Sequence, residues 1–183
     1  MTLLRLLIFC VFSIGFLYLP AVLGFAAVVA PEQSTGSILY GPDGKPIGSR
    51  LVAQKFTRDD YFHPRPSACD YDGQGAAGSN LSPTNPDLAA RAAAIAASYG
   101  ATPDHPIPAD LVTASGSGLD PDISLAGARY QVARVARARG LEETQLKGLI
   151  HDISRPIAGL AGSPILVNVL ELNLALDQLS AAR

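Results

Sequence analysis

A mixed α/β domain behind a single N-terminal transmembrane helix is the architecture that this sequence predicts. Three observations lead there. No residue from Leu6 to Ala30 is charged, although the chain of 183 residues as a whole holds 16 acids and 14 Lys and Arg. The remainder alternates stretches of helical periodicity with short β-type runs. Between them lie turns drawn from 17 glycines and 14 prolines, too few to make the chain disordered.

The apolar run comes first. At about 1.5 Å per residue it is long enough to cross a hydrocarbon core ~30 Å thick with some tilt. Gly15, Pro20 and Gly24 interrupt it and Tyr18 lies within it, a composition compatible with packing against partner helices. A cleaved signal peptide is the rival reading. Its apolar region usually runs ~7–15 residues, and Pro31 sits awkwardly after the small-residue sequence Val28-Val29-Ala30. Arg5 and the terminal amine precede the run; Glu32 follows, and the next basic residue is Lys45. The positive-inside tendency therefore assigns residues 1–5 to the cytoplasm, 6–30 to the span and 31–183 to an extracytoplasmic domain.

Beyond the span, Ser37–Tyr40 and Lys45–Val52 flank Gly41-Pro42-Asp43-Gly44, the pattern of a hairpin. Residues 61–86 form a long irregular stretch of the kind that carries function or partner contacts. Asn85-Pro86-Asp87 opens a helix running to Tyr99, with Gly100 as its stop. Leu111-Val112-Thr113 reads as a short strand leading into Ser115-Gly116-Ser117-Gly118. Ser124 caps a helix ending at Arg139 before Gly140, with Leu125, Ala128, Val132, Val135 and Ala136 on its apolar face. A helix over Glu142–His151 buries Leu146, Leu149 and Ile150. A buried strand over Ile165–Leu170 and a closing helix over Leu172–Leu179 complete the order. Asn168, in that apolar strand, reads as a satisfied buried amide.

Little in this chain resembles a reaction centre. The Ser115–Gly118 loop lacks the Lys-Ser/Thr of a phosphate cradle and runs into Asp120 and Asp122, which would repel phosphate. Neither Ser115 nor Ser117 has the flanking glycines of a nucleophile elbow. His63, His105 and His151 are scattered, and Cys10 and Cys69 form no CxxC, so no metal site is expected. A net charge of −2 and the absence of Trp give no reason to expect nucleic acid. The Arg134–Arg139 run suits the C-terminal end of its helix, or an acidic partner or lipid surface. The candidate contact residues are loop polar groups, which are not expected in the core: Arg65, Ser67, Ser79, Asn80, Ser115, Ser117 and Asp120, either in an ordered loop network or on a partner.

Whole segments then match a known family. Gly48–Phe56, Tyr61–Ala68, Gly78–Leu81 and Asn85-Pro86 occur in order, followed by Asp110–Pro121, Gln131–Gly140 and Val167–Leu176. The chain resembles the C chain of the bacterial potassium-transporting P-type ATPase, the Kdp system, over nearly its whole length. The resemblance implies a non-catalytic subunit of an inner-membrane pump that uses ATP to move K+. Its implied partners are a catalytic ATPase subunit, a channel-like potassium-binding subunit and a very small membrane subunit. It further implies a catalytic chaperone that raises the ATP affinity of the catalytic subunit, with Gln131 as the best match for a glutamine in that role and Gln54 second. Two family glycines are replaced here, by Ala53 and Ala77. An outer domain cannot meet ATP, so the effect on nucleotide affinity is expected to be allosteric. The alternative of another class is a free-standing, membrane-anchored periplasmic binding protein.

Overall fold

The computed structural model describes residues 2–41, 43–157 and 162–181, in two compact units, Met1–Ser49 and Arg50–Arg183. The first unit opens with α1 (Thr2–Phe12), a π-helical segment (Ser13–Tyr18) and α2 (Leu19–Val29), which run on as one helix over Thr2–Val29. This is the one helix among the described residues that is long and apolar enough to cross a membrane. It begins a turn earlier than the uncharged run, taking in Arg5. The π segment lies just before Pro20, whose missing N–H and crowded ring loosen the preceding turn. Ala30 leaves helical geometry before Pro31 (φ −141°, ψ 62°), as the residue preceding a proline tends to do.

A short helix, α3 (Pro31–Ser34), leads into the expected hairpin, β1 (Ile38–Tyr40) paired antiparallel with β2 (Pro46–Ser49). The second strand stops at Ser49 rather than Val52. Of the turn, Pro42 lies outside the described residues, and Gly44 takes the positive φ that the turn needs.

In the second unit α4 (Pro86–Ser98) starts as its sequence dictates: the Asn85 side chain accepts a hydrogen bond from the Asp87 amide at 2.8 Å, and Pro86 fills the first position. A sheet of three antiparallel strands follows, ordered β3 (Asp122–Ser124), β5 (Ile165–Asn168), β4 (Arg155–Pro156). Ile123 pairs with Val167, and both point into the core. α5 (Leu125–Tyr130) is capped by Ser124 Oγ, which accepts from the Gly127 amide at 2.8 Å. α6 (Val132–Arg139) ends on Gly140 in left-handed geometry. α7 (Glu143–Ile153) opens with a capping box between Glu142 and Gln145, and α8 (Val169–Ala181) closes the chain. Val132, Val135, Leu146, Ile150, Val167, Leu172 and Leu176 form a common core with Phe62.

Three expectations need correction. Leu111–Thr113 is not a strand: Ala109–Leu111 is a 3₁₀ turn, and the Thr113 hydroxyl donates to the Ala109 carbonyl at 2.7 Å, tightening it. That turn aims the Asp110 carboxylate at the Ser124 amide (2.7 Å), under Gly127, where a side chain would collide with it. The strand from Ile165 ends at Asn168, because the Asn168 carboxamide accepts from the Glu171 amide at 3.1 Å and starts the helix there. The single helix expected between Ser124 and Arg139 is broken in two at Gln131.

Candidate functional site

Phe62 and His63 lie in an irregular segment, yet Phe62 is fully buried and needs partners for its backbone. Two carboxamides supply them. The Phe62 amide donates to Asn173 Oδ1 and its carbonyl accepts from Asn173 Nδ2, both at 2.9 Å. The His63 amide donates to Gln131 Oε1 at 2.8 Å, and its carbonyl accepts from Gln131 Nε2 at 3.1 Å. Each side chain thus offers the donor–acceptor pair that a neighbouring strand would offer, and successive residues are held from α8 and from the break between α5 and α6. Gln131 is 1% exposed, and its Nε2 also donates to the Gly127 carbonyl at 3.4 Å.

Arg134 completes the clamp. Its Nη1 donates to the carbonyls of Asp59 (2.6 Å) and Tyr61 (3.0 Å), and its Nη2 donates to Gln131 Oε1 at 2.6 Å. The His63 ring is fixed as well. Nε2 faces the Arg58 carbonyl at 2.9 Å, so it carries the proton, and Nδ1 accepts from the Tyr99 hydroxyl at 3.2 Å. Burial, reinforced by the Arg134 charge, pushes the imidazole below its usual pKa and favours this neutral tautomer.

A second cluster gathers most of the loop residues singled out by sequence. Arg65 Nη1 meets Asp120 Oδ2 at 2.8 Å, and Asp120 Oδ1 accepts from the Asp122 amide at 3.1 Å. Ser67 Oγ accepts from the amides of Cys69 (3.2 Å) and Tyr71 (2.9 Å), while the Tyr71 hydroxyl donates to the Arg65 carbonyl at 2.9 Å. Burial pushes the Tyr71 phenol up to about 12. Ser115 Oγ accepts from the Ser117 and Gly118 amides, and Ser117 Oγ accepts from the Leu119 amide. Ser115 also donates its own amide to the Pro66 carbonyl at 3.0 Å, tying the two loops together. Ser115 is buried, contrary to the expectation that such groups stay out of the core.

Glycine makes this junction feasible. A Cβ on Gly78 would sit 2.7 Å from the Gly116 carbonyl oxygen, and one on Gly118 2.5 Å from Cys69 Sγ. Of the other candidates, Ser79 receives a long contact from Arg91 (3.5 Å), and Asn80 is exposed in left-handed geometry (φ 49°). Gln54 donates to the nearby Val52 carbonyl at 3.2 Å. Asn168 is the satisfied buried amide that its apolar strand implied, donating to the Arg50 carbonyl and Asp122 Oδ1. Asn173 and Arg134 escaped sequence reasoning as clamp residues. The signal was there for Asn173, an amide between Leu172 and Leu176 on a helix that is otherwise apolar on that face.

Comparison with known proteins places this constellation in context. A family model described as "K+-transporting ATPase, c chain" matches residues 1–178. A protein of Parvibaculum lavamentivorans named potassium-transporting ATPase KdpC subunit is 52% identical over 165 residues, covering 90% of this chain and 88% of its own. Proteins of the same name from Cereibacter sphaeroides and Caulobacter vibrioides are 47% and 48% identical over 168 residues. They cover 91% and 90% of this chain, and 90% and 85% of their own lengths.

Proposed function

The chain belongs to the KdpC family of K+-transporting ATPase subunits, and from that premise we propose that it is a non-catalytic accessory subunit whose folded domain lies on the outer face of the membrane. It docks there with the other pump subunits and raises the ATP affinity of the catalytic subunit through the assembly, without touching the nucleotide. Gln131 then acts as an architectural residue.

One observation carries this reading. The Gln131 carboxamide is buried, with its oxygen taken by the His63 amide and Arg134 and its nitrogen by the His63 and Gly127 carbonyls. A nucleotide reaching it would have to displace a core segment that includes Phe62, leaving buried backbone groups unpaired at ~1–3 kcal/mol each. The effect of Gln131 on nucleotide affinity therefore passes through the shape of the domain. The flanking charges, Arg5 before the span and Glu32 after it, support the outer location.

Photolabelling of the assembled pump with 8-azido-ATP tests the proposal. The expected result is ATP-competable label on the catalytic subunit and none on this chain. ATP-competable label on the peptide that holds Gln131 would overturn it.

A further inference from the structure

Beside the clamp, the C-terminal end of α4, the turn at His105 and the start of α6 enclose a cleft of about 200 Å³. It is lined by Tyr99, His105, Tyr130, Gln131, Arg134 and Arg137. The His105 ring stacks on the Tyr130 ring at 4.5 Å and 9°, and the Arg134 guanidinium lies over the Tyr99 ring. The walls are thus flat and stiff.

The charges in this cleft are unbalanced. Arg50, Arg58, Arg65, Arg139 and Arg155 each meet a carboxylate. Arg134 instead spends its hydrogen bonds on two carbonyls and a carboxamide, all neutral. Asp59 and Asp60 act on it at longer range without forming an ion pair. Among the described residues, Arg134 Nε and the Tyr130 hydroxyl are also buried without a hydrogen-bond partner, as are single nitrogens of Arg65, Arg91 and Arg139 elsewhere; at the cleft two such donors come from adjoining residues of its lining. Arg137, on the rim, is exposed and has no ion-pair partner among those residues. Buried donors of this kind cost free energy unless something accepts from them.

We propose that the cleft receives a carboxylate side chain, from an Asp or Glu of another subunit of the pump. A carboxylate is acceptor-only and planar, with enough lone pairs to take N–H and O–H donors together, and guanidinium groups match it geometrically. The positive patch is also confined, because Arg139 is neutralised by Asp177 (2.8 Å) instead of extending a basic face toward a membrane. The proposal rests on the accessory-subunit reading above.

The test uses Arg137→Lys in the full chain, purified within the assembled pump and treated with a carbodiimide, which joins amines to carboxylates at zero length. The expected product is an amide between position 137 and an Asp or Glu of another subunit, identified as linked peptides by mass spectrometry. The Lys55–Asp70 ion pair, at 2.6 Å, links in the same sample and reports that the reagent worked. A second readout is Arg137→Gln, expected to weaken retention of this chain by the complex about ten-fold at raised salt. Lysine 55 linked but position 137 unlinked would overturn the cleft assignment. So would a lipid adduct at position 137, which reassigns the site to the membrane. Failure of the unsubstituted chain to co-purify with other pump subunits would instead overturn the accessory reading, and the proposal with it.

Discussion

Two irregular regions of the same unit are fastened in opposite ways. The segment at Phe62 and His63 is anchored by an aromatic ring in the core and by carboxamides reaching from α8 and from the break between α5 and α6. The loops around Ser67 and Ser115 are held by hydroxyl groups satisfying amides two to four residues away, by close backbone approach at glycine, and by a partly buried ion pair. Long-range amides leave buried groups unpaired when they are lost, whereas the short-range hydroxyl turns, the buried Ser115–Gly118 contact excepted, leave groups that are only partly buried or exposed. The first region therefore couples helices to one another, and the second shapes a surface. The difference predicts a graded response to substitution.

The largest loss is expected at the clamp. Gln131→Leu or Asn173→Leu keeps the volume roughly but strands two backbone groups of a buried segment, costing about 2–5 kcal/mol in chemical unfolding. Equal losses at the two positions would sharpen the picture of one device built from two amides. A loss under ~1 kcal/mol at either would break it.

Next comes Gly118→Ala, which places a Cβ at φ +71° against Cys69 Sγ and the Ala77 carbonyl. About 1–3 kcal/mol is expected from the left-handed backbone and the collision, with faster proteolysis confined to the Ser67–Ser117 loops. Arg65→Gln should cost less, ~1 kcal/mol or below, since the Arg65–Asp120 pair is partly solvated. A larger loss would mean that the surface region is as deeply coupled as the clamp.

The smallest expected effect is one of pH. Burial lowers the His63 pKa from 6.5, so below that value the unfolded chain binds the proton more readily than the folded one. Stability contributed by neutral His63 is complete above about pH 6.5 and falls as pH drops through the window between the unfolded and folded values. Denaturation midpoints measured from neutral to mildly acidic pH should show this slope, and His63→Gln should flatten it.

Much of this was legible in the chain itself. Asn85-Pro86-Asp87, Ser124 and Gly140 each mark a helix end through local chemistry that needs no tertiary context. The uncharged run from Leu6 and the apolar face through Val132 and Val135 are equally local. What the pattern could not supply was pairing at a distance. Leu111–Thr113 has strand-like residues, but Asp110 is recruited to cap Ser124, and the turn follows. Val169 and Leu170 look like strand too, until the Asn168 carboxamide starts a helix beneath them. The loop candidates Arg65, Ser67, Ser115, Ser117 and Asp120 do come together, but Gln131 could be read from sequence only as a family match. Its use as a backbone mimic depends on His63, more than sixty residues earlier.

The central claim is that the domain works from the outer face and reaches the nucleotide through the assembly. Cys69 offers the most direct measurement. Its thiol is partly exposed, and the Ser67 hydroxyl holds its pKa below the usual value, which favours the reactive thiolate. With Cys10 replaced by serine, a membrane-impermeant thiol reagent is applied to intact and to lysed spheroplasts. The account predicts labelling of Cys69 in the intact cells. Labelling that appears after lysis alone would put the domain with ATP in the cytoplasm and contradict it.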